Sequence, residues 1–150
     1  MKNGSAAHMV MRDELRVEAI LENVRRIGEF VRGFGRCLGL TEDTLFDIDL
    51  AVEEASTNTV RHAYGSGPAG DILVQLKAED DAVIITLTDW GLPFKAEVSM
   101  PPDVGASLET RTRGGMGLHL IYGLMDSVTR KTASAPGGPN MLVLTKQILD

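Results

Sequence analysis

Two periods of hydrophobic and polar residues follow one another at the start of this chain. Residues 15–19 alternate between apolar and charged side chains, which predicts a short β-strand, although a helix continuing into the next segment also fits them. After Glu22 the period lengthens to three or four residues and predicts an amphipathic helix that stops near Gly39. The apolar positions of this helix are Val24, Ile27, Phe30, Val31 and Phe34.

A second helix is predicted from Thr41 to about Tyr64. Thr41 is followed by two acidic residues, a combination that favours a helix start. The glycine- and proline-rich residues 65–70 are typical of a loop and end this helix. The predicted buried stripe consists of Leu45, Ile48, Val52, Ala55 and Thr59.

Strands dominate the rest of the pattern, with one interruption. Residues 72–77 alternate, residues 82–88 are apolar and β-branched, and Asp80-Asp81 between them predicts a hairpin turn. No period persists from Trp90 to Gly114, which is expected of a functional lid or a disordered stretch. A helix over 115–125 and two strands over 127–132 and 141–148 complete the list of predicted elements. The order β-α-α-β-β-lid-α-β-β predicts an α+β fold, a two-layer sandwich with a mostly antiparallel sheet and helices on one face.

Composition narrows the class of protein. The 150 residues suit one domain, which we assign to residues 10–150, and we expect residues 1–9 to be a tag or a disordered tail. The 15 Lys and Arg against 21 Asp and Glu give a net charge of −6, which disfavours direct nucleic-acid binding. A single cysteine excludes an internal disulfide. This composition fits a reducing cytoplasm, where we expect the protein to act. No apolar run approaches the roughly 18 residues of a membrane span.

Glu54, Asn58 and His62 recur every fourth residue on the second helix and therefore lie along one helix face. A carboxylate and a carboxamide one turn apart can take a proton and ligate a hard cation such as Mg²⁺. A plain solvent-facing polar row fits the same spacing. Glu53 points about 100° away from this row, since successive helical residues turn by that angle.

Two further segments carry candidate chemistry. Asp89 ends an apolar strand, where its carboxylate can accept a hydrogen bond from an exocyclic amine, and Gly91 lets a flat ligand approach the backbone. The glycines of R-G-G-M-G-L, residues 113–118, expose backbone N–H groups at a helix start, which suits an anion. An ordinary turn after a strand and a flexible hinge before a helix are the corresponding structural alternatives.

The three segments together resemble the boxes of the GHKL ATPases, the superfamily of gyrase, Hsp90, histidine kinases and MutL. E-E-A-S-T-N-T-V-R-H-A-Y is similar to their N box, and D-W-G-L-P-F and R-G-G-M-G-L-H-L-I are similar to their two glycine boxes. Within the superfamily, the H-A-Y ending, the short lid and the pair Met125-Asp126 resemble the bacterial anti-sigma factor serine/threonine kinases, the partner-switching kinases. The resemblance implies the Bergerat fold.

The resemblance also implies roles for individual residues. Glu54 matches the general base, Asn58 the Mg²⁺ ligand, and Asp89 the residue that recognises the adenine amine. His62 matches a histidine of the subgroup that we interpret as partly structural. The implied nucleotide-binding set is Asn58, His62, Asp89, Gly91, Pro93, Phe94, Arg111, Arg113, Gly114, Gly115, Met116, Gly117 and Leu118.

By the same resemblance, the implied activity is transfer of a phosphoryl group from Mg²⁺-ATP to a serine or threonine of a STAS-domain anti-sigma factor antagonist. The implied partners are that antagonist, a sigma factor or other regulator held by the kinase, and a second copy in a homodimer. Two alternatives stay open: an ATP-binding module that sequesters a partner without catalysis, and a detached histidine-kinase domain, which the short lid and H-A-Y disfavour.

Overall fold

The computed structural model describes residues 10–65, 67–92 and 121–148. The predictions for residues 1–9, for the lid beyond residue 92 and for the start of the third helix lie outside these ranges. The described elements are β1 (Met11–Glu18), α1 (Glu22–Cys37), α2 (Glu42–His62), β2 (Asp71–Glu79), β3 (Ala82–Asp89), a helical turn over 121–124, β4 (Ser127–Lys131) and β5 (Asn140–Gln147).

The first segment is a strand, as its alternation predicted, and the helical alternative is wrong. β1 pairs with β2 over its whole length, from Met11 opposite Ala78 to Glu18 opposite Asp71. The sheet has the order β1-β2-β3-β5-β4, and each neighbouring pair is antiparallel. The strand that comes last among the described elements therefore lies between two others.

Local sequence signals set the helix boundaries. The Thr41 hydroxyl accepts a hydrogen bond from the Thr44 N–H at 3.2 Å, which satisfies one of the unpaired donors of the first turn of α2. Gly39 has φ of 75°, a left-handed conformation that suits glycine after a helix end, and it separates α1 from α2. Asp80 also has a positive φ, 57°, in the hairpin turn between β2 and β3.

The core lies between the two helices and one face of the sheet. The predicted stripe of α2 is buried throughout, and α1 contributes Ile27, Val31 and Phe34. Alternate residues of the central strands meet these helices: Ile72, Val74, Leu76, Val83, Ile85, Leu87, Leu142 and Leu144. The α+β fold with helices on one face of an antiparallel sheet is thus confirmed.

The opposite face of the sheet has a different character, and we call it the outer face. Its cross-strand rows place Leu73 beside Thr88 and Met141, and Gln75 beside Thr86 and Val143. Apart from Thr88, which is 5% exposed, these side chains are half-buried or exposed in the described part of the chain. None of the described helices is long and apolar enough to cross a membrane.

Candidate functional site

Solvent exposure differs along the α2 row of Glu54, Asn58 and His62. Glu54 and Asn58 are half-buried, whereas His62 near the helix end is exposed. Glu53 is exposed as well, so it points away from the row that Glu54 begins. The helix presents one carboxylate and one amide to a sheltered surface.

The side chain of Asn58 is the unusual member of this row. Its Nδ2 is buried, and no hydrogen-bond partner for it exists among the described residues. A buried amide group without a partner costs free energy, typically about 1–3 kcal/mol. The oxygen and nitrogen of an asparagine amide exchange places by a flip, so either end can meet a bound group at this position. A solvent-facing polar row alone does not explain such an atom.

Asp89 is the last residue of β3 and lies on the inner face of the sheet at 4% exposure. Its Oδ1 accepts a hydrogen bond from the Gly91 N–H at 3.0 Å and another from Asn140 Nδ2 at 3.0 Å. A buried carboxylate needs such donors, because it has lost its water. Both hydrogen bonds that the described residues donate to this carboxylate end on Oδ1, which leaves Oδ2 for another donor.

The loop after Asp89 is attached to the end of α2. The Leu92 N–H donates to the Ala63 carbonyl at 2.6 Å. A Cβ at Gly91 would overlap the backbone of Ala63, so only glycine permits this approach. Asn58 lies about 7–8 Å along the helix from Ala63, at 1.5 Å of rise per residue. The contact thus brings Asp89 and the α2 row to one end of the sheet.

Tyr64 also contacts the loop that follows Asp89. Its hydroxyl donates to the Asp71 carbonyl at 2.6 Å and accepts from the Trp90 N–H at 3.0 Å. Burial raises the pKa of Tyr64 above its ordinary value, and the hydrogen bond with Trp90 partly opposes this shift. A Cβ at Gly70 would collide with the Tyr64 ring, so this glycine makes room for the tyrosine.

Two arginines in the described part of the chain lie near the site. Arg16 lies 4.9 Å from the ring centroid of Trp90 and forms an ion pair with Asp71 at 3.2 Å. Arg130 on β4 is half-buried, and its burial lowers its pKa, an effect that the charges of Tyr122 and Asp89 oppose. The surroundings of Asp89 therefore include a partly desolvated positive charge.

The structure brings together one part of the predicted set. Glu54 and Asn58 lie on α2 and Asp89 and Gly91 lie at the end of β3, and the contact between Leu92 and Ala63 joins these two elements. His62, although on the same helix, is exposed. The remaining predicted residues lie outside the described part of the chain: Pro93, Phe94, Arg111, Arg113, Gly114, Gly115, Met116, Gly117 and Leu118.

The sequence analysis missed three residues near the site: Tyr64, Arg130 and Asn140. Tyr64 ends the H-A-Y motif, but its partners are backbone groups, which no motif identifies. Asn140 follows a glycine- and proline-rich loop and looks like one more turn residue. The strand register would have revealed it, because Asn140 is directly opposite Asp89 in the sheet.

Comparison with known proteins decides the family. The family described as "Histidine kinase-like ATPase domain" matches residues 17–146, which is most of the chain. The chain belongs to this family. The Serine-protein kinase RsbW of several Staphylococcus aureus strains is 36% identical to it over 121 residues, which cover 77% of this chain and 76% of the relative. The resemblance to the GHKL superfamily and its anti-sigma factor kinases is thereby confirmed.

Solved structures support the fold. A structure of the RsbU and RsbW domains of Rv1364c from Mycobacterium tuberculosis matches 91% of this chain with a TM-score of 0.64 and 18% identity. A histidine kinase domain of a blue-light activated histidine kinase from Erythrobacter litoralis matches 88% with a TM-score of 0.56 and 13% identity. This chain spans 32% and 62% of those two chains, so they bear on the domain alone.

Proposed function

We propose that this chain is an ATP-dependent serine/threonine protein kinase that also acts as an anti-sigma factor. Its substrate is a STAS-domain anti-sigma factor antagonist, and the protein it sequesters is a sigma factor or a similar regulator. The 36% identity to proteins named serine-protein kinase supports the reaction class. We assign the activity to a single domain over residues 10–150, in the cytoplasm.

One observation carries the proposal. The loop that follows Asp89 is hydrogen-bonded to the end of the helix that bears Glu54 and Asn58, through Leu92 N–H and the Ala63 carbonyl at 2.6 Å. The carboxylate suited to an adenine amine and the carboxylate–amide row suited to phosphate chemistry therefore lie on two elements that are in direct contact, which supports their use in one site. Either group alone is common on protein surfaces. Here the two elements that carry them are joined at a contact that only glycine permits.

The residues present fit Mg²⁺-ATP. Asn58 has a buried amide end without a partner among the described residues, and an amide oxygen is a suitable ligand for a hard cation. Asp89 Oδ2 can accept a hydrogen bond from the adenine amine. Gly91 places no side-chain atoms beside this position. A cation held by Asn58 would neutralise phosphate charge, one of the electrostatic requirements of phosphoryl transfer.

Glu54 supplies the proton acceptor in this proposal. The hydroxyl oxygen of the partner's serine or threonine attacks the terminal phosphorus, the bond from that phosphorus to the leaving ADP oxygen breaks, and the hydroxyl proton passes to the Glu54 carboxylate. Phosphoryl transfer depends mostly on positioning and electrostatics, so few catalytic residues are needed. The half-buried position of Glu54, compared with exposed Glu53, supports this assignment.

We also propose a homodimer that buries the outer face of the sheet. Its rows carry apolar side chains that the described elements leave half-buried, among them Leu73, Met141 and Val143. A group of partly exposed apolar side chains with polar neighbours such as Gln75 and Thr86 suits an interaction site. Light scattering coupled to size exclusion, comparing the unmodified protein with Val143→Glu, measures the oligomer directly.

The decisive experiment is phosphorylation. The protein is incubated with Mg²⁺-ATP and purified STAS-domain proteins, and mass spectrometry locates phosphoserine or phosphothreonine. Glu54→Gln should lower the transfer rate by about 100-fold or more, the usual contribution of a general base, with ATP affinity almost unchanged. Glu53→Gln is the matched control and should transfer phosphate at the normal rate, because Glu53 is exposed and outside the row.

The outcomes separate the alternatives. Transfer by the unmodified protein that persists at full rate in Glu54→Gln would contradict the base assignment. Tight ATP binding and partner capture without phosphorylation would establish the non-catalytic sequestering module instead. Phosphohistidine on a helical hairpin protein would identify a detached histidine-kinase domain.

A further inference from the structure

Asn140 is the first residue of β5 and lies directly opposite Asp89 on β3. Its side chain is only 1% exposed and ranks among the largest fully buried side chains of the described residues. Both residues continue the inner-face rows that Leu87 and Leu142 occupy one step further along the strands. A buried polar pair at the end of an apolar face is costly unless its polar atoms have hydrogen-bond partners.

The hydrogen bonds of Asn140 fix the orientation of its amide. Nδ2 points to three acceptors: Asp89 Oδ1 at 3.0 Å, the Gly91 carbonyl at 3.1 Å and the Leu92 carbonyl at 3.4 Å. Oδ1 accepts from the Ala133 N–H at 2.9 Å. The reverse orientation would place an oxygen against three acceptors and an NH₂ group against a donor. One side chain therefore connects the Asp89 carboxylate, the loop after β3 and the loop between β4 and β5.

The effect on Asp89 is directional. Asn140 and the Gly91 N–H both bind Oδ1, and together they prevent the carboxylate from rotating about its bond to Cβ. The same NH₂ group holds the Gly91 and Leu92 carbonyls, and so fixes the backbone next to the base site. A carboxylate whose one oxygen is held from two sides presents the other in a single direction, as recognition of a planar base edge requires.

We propose that Asn140 is a positioning residue that aims Asp89 Oδ2 at the exocyclic amine of adenine and thereby sets the base selectivity of the site. The inference rests on the proposed ATP-binding function and deepens it. Asn140 acts through Asp89 and the adjoining loop, so its contribution is to discrimination between bases more than to total affinity. An amide is suited to this position because an aspartate would face the Asp89 carboxylate with a second negative charge, and a leucine would take the Asn140 partner away from the Gly91 and Leu92 carbonyls and from the Ala133 N–H.

The test compares two nucleotides that differ only at the group in question: ATP and purine riboside triphosphate, which lacks the 6-amino group. Their dissociation constants are measured by calorimetry at one Mg²⁺ concentration. The unmodified protein should prefer ATP by about 10- to 100-fold, the value of a hydrogen bond to a charged group. Asn140→Ala should reduce that preference to about threefold or less, because the carboxylate becomes free to rotate.

A variant on the neighbouring strand separates positioning from loss of stability. Ile85→Val lies on β3, four residues before Asp89, and loosens the buried sheet without touching the polar pair. It should lower the melting temperature and keep the full preference for ATP. If Asn140→Ala is unfolded at the temperature of the assay, Asn140→Ser replaces it. The serine side chain fills part of the space, but it is too short to reach the same acceptors. The same loss of preference for ATP is expected.

Each outcome has a distinct meaning. If the Asn140 variants bind both nucleotides more weakly by the same factor, so that the preference for ATP is unchanged, the positioning role is overturned while the proposed function stands. If the unmodified protein binds ATP and purine riboside triphosphate equally well, both the positioning role of Asn140 and the adenine-recognising role of Asp89 are overturned. Failure of the unmodified protein to bind ATP at all would remove the proposed function itself.

Discussion

Gly91→Ala tests whether the contact between the loop after β3 and the end of α2 builds the nucleotide site. The added Cβ would overlap the Ala63 carbonyl group, and that backbone is held within α2 by its own hydrogen bond from Ala63 N–H to the Thr59 carbonyl. Non-bonded carbon atoms prefer separations of about 3.5–4.0 Å, so the loop has to retreat by about 1 Å or more. The Leu92 bond to Ala63 and the Gly91 bond to Asp89 are then lost or stretched.

Two effects are expected, and each has its own measurement. Loss of two hydrogen bonds with partial burial should lower the free energy of unfolding by about 2–3 kcal/mol, seen in urea titration. This corresponds to a fall in melting temperature of roughly 5–10 °C for a domain of this size. Displacement of the Asp89 loop by about 1 Å should weaken ATP binding by about 10- to 100-fold, measured by calorimetry.

Gly33→Ala is the control for the glycine-to-alanine change itself. Gly33 is exposed within α1, and an added Cβ would meet no atom within 4 Å. Alanine is favoured over glycine inside a helix, so this variant should gain about 0.5–1 kcal/mol of stability and bind ATP normally. A Gly91→Ala protein with unchanged melting temperature and ATP affinity within twofold of the unmodified protein would refute the reasoning.

Three further variants examine other parts of the site. Tyr64→Phe should lower the free energy of unfolding by about 1–3 kcal/mol, because the Asp71 carbonyl and the Trp90 N–H lose their shared partner. Burial raises the pKa of Tyr64 in the folded protein, so this tyrosine deprotonates first in the unfolded chain as the pH rises. Its contribution to the free energy of unfolding is therefore complete below about pH 10 and declines above it. Urea titrations across that pH range should show a smaller decline in stability for Tyr64→Phe than for the unmodified protein. Asn58→Ala should weaken ATP binding roughly tenfold with Mg²⁺ and hardly at all in EDTA, and equal loss in both would remove its cation role. Asp89→Asn should reduce the ratio of ATP to GTP affinity to about threefold or less, whereas a preserved ratio would show that another group recognises the base.

The sequence predicted most of the fold because the spacing of hydrophobic residues shows which face of an element is buried. The alternation of residues 72–77 matches a strand whose even-numbered positions face the core, and the stripe of α2 from Leu45 to Thr59 is buried throughout. Thr41 and Gly39 are boundary residues whose chemistry acts within a few positions. Such local signals need no knowledge of which elements are neighbours.

The support of the site could not be predicted in this way. The row of α2 and the aspartate at the end of β3 are visible as motifs, but the residues that hold them depend on strand order. β5 lies between β3 and β4, and only this arrangement places Asn140 opposite Asp89. Likewise, the Tyr64 hydroxyl bonds to backbone groups of Asp71 and Trp90, and backbone groups are the same for every residue type.

The place of β5 in the sheet also bears on biosynthesis. β5 comes after all the other described elements along the chain, yet it fills an interior position of the sheet and supplies Asn140 to the site. While the ribosome is still synthesising the chain, β3 has an open edge and Asp89 lacks its cross-strand partner. Pairings between distant segments form late, because the loop between them has to close first. A nascent chain that ends before residue 140 should therefore depend on chaperones and bind no nucleotide, and the site should become functional only after β5 has left the ribosome.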